Sequence, residues 1–221
     1  MARENMRYLK FIRKFLYNFQ PKLQARPMTL FIENHFNGKN LTGVEIGTAD
    51  GYNAKNMLSR LAIDKLYLID PFEPWIDGKL LEYSDFERAL KNLSEFKERV
   101  VFIRKFSENA VDDIPDDLDF IYIDGNHSYD YVKKDIELYY PKVRPGGVIG
   151  GHDFAGGFIG VIRAVLQFSD NVNLDLHTEG GDWWVIKRDK ENKKKKIYST
   201  VRASSERRKI QTNYASKQHI T

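Results

Sequence analysis

The sequence predicts an α/β fold in which helices cover both faces of a mostly parallel sheet. Short apolar segments typical of buried strands alternate with amphipathic segments typical of helices, and turn-forming residues separate them. Consecutive parallel strands need crossover connections, which are normally right-handed and helical. Five strand–helix units followed by a closing antiparallel pair give an expected sheet of seven strands, the last of them antiparallel.

The individual elements are predicted from apolar periodicity and from the positions of Gly and Pro. Strands are expected at residues 43–47, 65–70, 100–104, 119–124 and 148–151, with the closing pair at 172–177 and 183–187. Helices are expected at residues 28–36, 53–61, 84–98, 129–140 and 158–168, and Pro-Gly-Gly at 145–147 is expected to form a turn. Because side chains alternate along a strand, one of Trp183 and Trp184 should face the core and the other should point outward.

Two flanking segments lie outside this α/β unit. Residues 4–19 place aromatic and aliphatic residues at helical spacing among basic ones, which predicts an amphipathic helix. That helix either packs on its own domain or on a second subunit, or lies on an anionic membrane surface. Beyond about residue 189 apolar residues are few, which predicts a flexible tail. The expected division is an N-terminal helical extension at 1–40, the α/β domain at 41–188 and the tail at 189–221.

Composition excludes several classes of protein. The 221 residues include no cysteine, which excludes disulfides and thiolate catalysis and is compatible with the predicted cytoplasmic location. No apolar run approaches the roughly 20 residues of a membrane span. The net charge of +4 is unevenly distributed, because residues 187–221 contain twelve Lys or Arg and three Asp or Glu. The rest of the chain is mildly acidic, so the overall basicity does not describe the α/β domain.

Residues 43–53 form the first candidate binding segment, a strand followed by a glycine turn and the start of a helix. In open α/β sheets ligands bind outside the carboxyl ends of the strands, and a helix N-terminus there offers free N–H groups. Gly47 and Gly51 allow a tight turn and a close approach to a ligand. Ala49 and Tyr52 stand where the dinucleotide fingerprint requires glycine, so the ligand need not be a dinucleotide.

Two further groups of polar residues follow predicted strands. Asp70 ends the second strand, nineteen residues after Gly51, where an acid can accept hydrogen bonds from ribose hydroxyls. After the fourth and fifth strands stand acids and histidines that are able to bind a metal, namely Asp124, His127, His152 and Asp153. Because these two strands are expected to be adjacent, their polar side chains should lie at one rim of the sheet.

The motifs together resemble one family of enzymes. Glu-x-Gly-x-x-x-Gly, beginning at Glu45, resembles motif I of the class I S-adenosylmethionine (SAM) methyltransferases. The sequences Ile-Asp-Gly-Asn-His-Ser-Tyr, Pro-Gly-Gly and Gly-Gly-His-Asp resemble the small class I methyltransferases that include the macrolide-sugar O-methyltransferases and, more distantly, catechol O-methyltransferase. The resemblance covers roughly residues 40–188 and implies a Rossmann-like, SAM-dependent methyltransferase domain there.

The resemblance also implies roles for individual residues. The methionine end of SAM would be held around Glu45, Gly47, Gly51 and Asn53, the ribose by Asp70 and the adenine near Ser107. A divalent metal, Mg²⁺ or Mn²⁺, would be bound by Asp124, His152 and Asp153, and His127 would be the general base. Relatives usually have an acid where His152 stands, and since Mg²⁺ prefers oxygen ligands, this leaves Mn²⁺ open. His152 is alternatively a residue that hydrogen-bonds substrate, and Ser128 is expected to cap the helix after His127.

The expected function is therefore SAM-dependent and metal-dependent O-methylation of a small hydroxylated substrate, such as a sugar or a polyphenol. The alternative is an RNA methyltransferase whose basic tail contacts phosphates. The acidic charge of the body argues against nucleic acid as the partner, and the presence of the acidic rim argues against a non-enzymatic protein with the same fold. The N-terminal helix is a candidate surface for a homo-oligomer.

Overall fold

The computed structural model describes residues 25–73 and 85–188, which form a seven-stranded sheet with helices on both faces. The helices are α1 (Pro27–Phe36), α2 (Tyr52–Arg60), α3 (Asp85–Asn92), α4 (Tyr129–Tyr139) and α5 (Ile159–Val172). The strands are β1 (Leu41–Ile46), β2 (Ile63–Ile69), β3 (Val100–Ile103), β4 (Leu118–Ile123), β5 (Val143–Gly151), β6 (His177–Glu179) and β7 (Asp182–Ile186). The helix predicted at residues 4–19 and the tail predicted at 189–221 lie outside the described residues.

The strand order is β3-β2-β1-β4-β5-β7-β6. Strands β1 to β5 are parallel, and β7 runs antiparallel to both β5 and β6. The predicted fold class is thus confirmed. Because β1 and β4 are neighbours although β2 and β3 separate them in the chain, the winding direction reverses between them. Ligands of open α/β sheets bind in the crevice at such a reversal point.

Apolar layers pack on both faces of the sheet. On one face, Ile121 and Ile123 of β4 belong to the cluster that contains the inner sides of α4 and α5. On the other face, Phe120 and Tyr122 belong to the cluster that contains α1 and α2. All four of these β4 side chains are buried, which is typical of a central parallel strand covered by helices on both sides. The sheet is therefore a rigid platform for the residues that follow its strands.

The structure corrects several predicted boundaries. The strand predicted at 172–177 is wrong, because α5 continues to Val172 and ends at Asn173, whose left-handed backbone (φ 50°) closes the helix. The edge strand β6 begins only at His177 and turns into β7 through two glycines. The predicted turn at 145–147 lies within β5, next to a shift in its register with β4. The helix predicted at 84–98 ends at Asn92 and is followed by a short 3₁₀ turn.

The prediction that one tryptophan of β7 points outward is also wrong. Both Trp183 and Trp184 are buried. Alternation along the strand holds, but α1 covers the second face, and the Trp184 ring lies 5.2 Å from that of Phe31 and stacks on His177. Within the described residues, no helix is long and apolar enough to cross a membrane.

Candidate active site

The turn after β1 brings the ends of β1, β2 and β4 into close contact. Gly47 has φ 85°, its N–H donates to the carbonyl of Ile69 at 2.9 Å, and the N–H of Asp124 donates to the carbonyl of Ile46 at 2.7 Å. A Cβ on Gly47 would lie 2.1 Å from the carbonyl oxygen of Asp124. Glycine is thus required here by both backbone conformation and space. Gly51 (φ 77°) then begins α2.

Glu45 and Asn53 form a buried polar pair beside this turn. Glu45 is 1% exposed, and the Asn53 amide nitrogen donates to its Oε1 at 2.8 Å. Burial raises the pKa of Glu45 to about 8, so the carboxyl is largely protonated at neutral pH. The other carboxyl oxygen and the Asn53 amide oxygen have no hydrogen-bond partner among the described residues. Buried polar atoms without partners are costly, so this pair fits a site that polar groups of a ligand complete.

Asp70 links the end of β2 to the glycine turn. Its Oδ2 accepts the N–H of Ala49 at 2.9 Å and its Oδ1 accepts the N–H of Phe72 at 2.7 Å. Ala49 has a left-handed backbone (φ 46°), which the sequence alone did not indicate. Each carboxylate oxygen keeps a second lone pair, so Asp70 is able to hold the turn and also to accept a ligand hydroxyl. Its role with ribose stays a prediction.

Ser107 lies in a 3₁₀ turn after β3 and contacts an acid that sequence reasoning missed. The Ser107 hydroxyl donates to Asp135 of α4, and the Tyr139 hydroxyl donates to the Ser107 carbonyl at 2.7 Å. Asp135 is 3% exposed, and burial raises its pKa to about 6. Helical periodicity could have identified Asp135 as a buried acid, because it lies on the same buried side of α4 as Val132 and Tyr139.

Replacing Asp135 with asparagine should remove a pH-dependent loss of stability. A carboxyl whose pKa is raised on folding destabilises the folded protein as pH rises from its unfolded pKa of 3.8 to about 6. At pH 7 that loss is about 3 kcal/mol for a pKa raised this far. The gain in unfolding free energy from Asp135→Asn should therefore be larger at pH 7 than at about pH 4.5, as measured by urea denaturation. The exposed Glu137→Gln on the same helix is the control, and an equal gain at both pH values would contradict the prediction.

A cluster of acids and histidines lies where β4 and β5 end. Asp124 follows β4, whereas His152 and Asp153 follow the adjacent β5. One ligand atom from each of these three residues lies within 4.8 Å of the other two. His152 Nδ1 is 3.1 Å from Asp153 Oδ1. The residues expected at one rim of the sheet are therefore close together in space.

His127 lies on the outer side of this cluster. Its Nε2 is 2.7 Å from Asp153 Oδ2 and 4.0 Å from Asp124 Oδ1, and its ring packs on Phe158. The nearby carboxylates of Asp124 and Asp153 raise the pKa of His127 although burial opposes this. Ser128 occupies the predicted cap position but makes no side-chain cap bond, and its backbone N–H donates to Asn126 Oδ1.

Arg26 is a rim residue that sequence reasoning missed. Its Nη1 donates to Asp124 Oδ2 at 2.6 Å and to the Tyr122 hydroxyl at 3.0 Å. Burial disfavours ionisation of Asp124, but the nearby His127, together with the charge and hydrogen bond of Arg26, holds its pKa below the ordinary value. Arg26 stands in a linker just before Pro27, where neither periodicity nor a motif indicates a position near β4.

The donor set at the rim fits a divalent cation. Two carboxylates and one imidazole are available from Asp124, Asp153 and His152, all partly buried. This mixture of oxygen and nitrogen suits Mn²⁺ or a similar transition metal better than Mg²⁺, which prefers oxygen alone. Arg26 engages one oxygen of Asp124, and the other oxygen faces the cluster.

Two cavities among the described residues differ in their relation to the site residues. A crevice of about 10 Å³ beside the strand ends is lined by Asp124, His127, His152 and Trp183 among others. A larger groove of about 240 Å³ lies between α4 and α5, and none of the candidate site residues lines it. The chemistry-bearing residues rather than the size of a cavity therefore define the site.

The fold and the site together define a class of protein. The strand order, the glycine turn after β1 and the acid after β2 are those of the class I SAM-dependent methyltransferases, as the motifs predicted. The chain belongs to a family described as a methyltransferase domain, whose profile matches residues 44–154. That match includes the residues from the glycine turn to Asp153.

Comparison with individual proteins agrees with this membership. An uncharacterised protein of Acanthamoeba polyphaga mimivirus is 32% identical over 131 residues, which are 56% of this chain and 56% of that protein. The chain thus spans about half the length of that curated relative.

Solved methyltransferases have the same fold. The O-methyltransferase NovP is 18% identical, with a TM-score of 0.59 over 76% of this chain and 80% of that one. A TDP-rhamnose 3′-O-methyltransferase of calicheamicin biosynthesis is 13% identical, with a TM-score of 0.58 over 80% and 87%. A Bacillus cereus O-methyltransferase in complex with S-adenosylhomocysteine (SAH) is 16% identical, with a TM-score of 0.53 over 80% and 89%.

Proposed function

We propose that the protein transfers the methyl group of SAM to a hydroxyl of a small molecule and uses a divalent cation to do so. The observation that supports this most is the cluster of His127, Asp124 and Asp153 beside the glycine turn. An acid–base residue next to a cation-binding cluster, at the reversal point of the sheet, is what methylation of an alcohol or phenol requires.

The polar groups around the glycine turn support the placement of SAM. Glu45 and Asn53 offer unpartnered oxygens, which suit the methionine end. Asp70 follows β2 at the position where an acid accepts ribose hydroxyls, and Ser107 lies farther along the same edge, after β3. This order along the edge matches the order of methionine, ribose and adenine within SAM.

The residues at the rim account for the proton balance of the reaction. An acceptor oxygen attacks the methyl carbon of the sulfonium, the carbon–sulfur bond breaks, and a methyl ether and SAH form. The acceptor must lose its proton, and the unprotonated nitrogen of a neutral His127 is able to accept it. Asp153, 2.7 Å from His127, stabilises the imidazolium that results. A bound divalent cation would lower the pKa of the acceptor hydroxyl and orient it.

The acceptor we propose is a sugar or a polyphenol-like molecule. NovP and the TDP-rhamnose enzyme are O-methyltransferases with this fold, and the second acts on a sugar nucleotide. Methylation of RNA is the less favoured alternative, because the basic residues that suggest it lie at 187–221, mostly beyond the described α/β unit. We further propose a cytoplasmic enzyme.

Ligand binding and turnover test the proposal separately. Purified protein should gain thermal stability with SAH, since a ligand that binds only the folded state stabilises it. Methyl transfer to a panel of sugars and phenols should fall to background in EDTA and return with Mn²⁺. A protein that binds no SAH would contradict the SAM-dependent reaction, whereas turnover that EDTA leaves unchanged would contradict only the metal.

A further inference from the structure

We infer that Arg26 binds the methionine carboxylate of SAM, and that Tyr122 and Asp182 are the positioning residues that hold it in place. This inference rests on the proposed function and adds a cofactor-binding residue to it. It follows from how the segment before α1 is anchored, from the free edge of the guanidinium and from the charges around it.

A buried acid fixes the chain next to Arg26. Asp182 of β7 is 0% exposed, and its two oxygens accept the Tyr122 hydroxyl at 2.7 Å and the N–H of Met28 at 2.9 Å. Buried polar networks stabilise one arrangement when their members are satisfied. Asp182 and Tyr122 therefore hold the segment of Arg26 at a defined position on the rim.

Among the described residues, one edge of the guanidinium has no partner and is open to a ligand. Nη1 donates to Tyr122 and Asp124, whereas Nε and Nη2 make no hydrogen bond with any of the residues at 25–73 and 85–188. The side chain is 30% exposed, so it is accessible to a ligand. Guanidinium N–H groups bind carboxylates in a bidentate manner, and prior fixation of the side chain lowers the entropic cost of binding.

The surrounding charges require a cation for this part of SAM. The amino acid end of SAM has an ammonium and a carboxylate on one carbon, and Glu45 offers an oxygen to the ammonium. The same edge of the sheet contains Asp70, whose charge repels a carboxylate, whereas the proposed cation would offset the charges of Asp124 and Asp153. The Tyr122 hydroxyl, to which Arg26 donates, belongs to the register partner of Glu45 on the neighbouring strand, so Arg26 lies near the proposed methionine subsite. Its free edge supplies the positive charge that the carboxylate needs.

The test compares SAH with its decarboxylated analogue, which lacks only the carboxylate. Wild-type protein should bind SAH roughly 10–100-fold more tightly than the analogue in calorimetry, as expected for charge-assisted hydrogen bonds. Arg26→Gln should lose this preference, with weaker binding of SAH and unchanged binding of the analogue. Arg26→Lys should be intermediate, because it retains the charge but not the bidentate geometry. Tyr122→Phe should reduce the preference in part, with thermal unfolding as the check on its fold.

Arg60→Gln is the matched control, since Arg60 pairs with Glu33 on the surface, and it should retain the full preference. The inference is overturned if Arg26→Gln keeps the preference for SAH or weakens the binding of both ligands equally. Arg26 would then only neutralise Asp124 or bind an acceptor. If wild-type protein binds neither ligand, the proposed SAM-dependent function fails, and the inference fails with it.

Discussion

Replacing His127 with alanine should lower turnover by roughly 10²–10⁴-fold while leaving SAH affinity nearly unchanged, because a positioned acid–base group contributes about that much. His127 lies beside both rim acids, and its side chain is exposed enough to meet an acceptor. The loss should appear mainly in kcat. The measurement is steady-state methyl transfer together with calorimetry of SAH. His177→Ala removes an exposed histidine of the edge strand β6 and should leave turnover near that of the wild type.

The pH and metal dependence of the same variant distinguish two roles. If His127 is the base, part of the lost activity should return at higher pH, where more acceptor is ionised without help. If it is a metal ligand, raising the metal concentration should restore activity at constant pH. A variant with wild-type kcat would exclude both roles and leave His127 as a structural neighbour of Asp153.

Replacing Gly47 with alanine should lower SAH affinity by more than about 100-fold and destabilise the fold. The new Cβ would lie 2.1 Å from the carbonyl oxygen of Asp124 and 2.7 Å from the Cα of Gly125. These are backbone atoms, which cannot rotate away, so the ends of β1 and β4 must separate. The left-handed backbone of Gly47 adds roughly 1–2 kcal/mol for a residue with a side chain. Calorimetry and thermal unfolding measure the two effects.

Gly38→Ala is a control that separates backbone strain from steric overlap. Gly38 also has a left-handed backbone (φ 76°), but a Cβ there would meet nothing within 4 Å. We expect a stability loss of roughly 1–2 kcal/mol and no change in SAH affinity. If Gly47→Ala behaves like Gly38→Ala, the close approach of β1 and β4 does not limit cofactor binding.

Local sequence patterns were sufficient to predict most strands of the sheet. The strands β1, β2 and β4 are largely apolar and lie in the interior of the sheet, so burial on both faces leaves a signal that needs no knowledge of neighbours. The closing antiparallel pair was harder to predict, because its edge strand β6 consists of three exposed residues and has no apolar pattern. The burial of Trp184 also depends on α1, which packs on β7 from a distant part of the chain.

The sequence by itself determined the methyltransferase fold, the glycine turn at Gly47 and the residues at the ends of β4 and β5. Strand ends and turns are local features, and the topology then brings them to one edge. Only the tertiary structure decided the partners of those residues. Arg26 and Asp182 meet Tyr122 from opposite ends of the domain, and Asp135 meets Ser107 from a helix after a different strand. Such contacts depend on packing between distant elements, for which a single sequence contains no periodic signal.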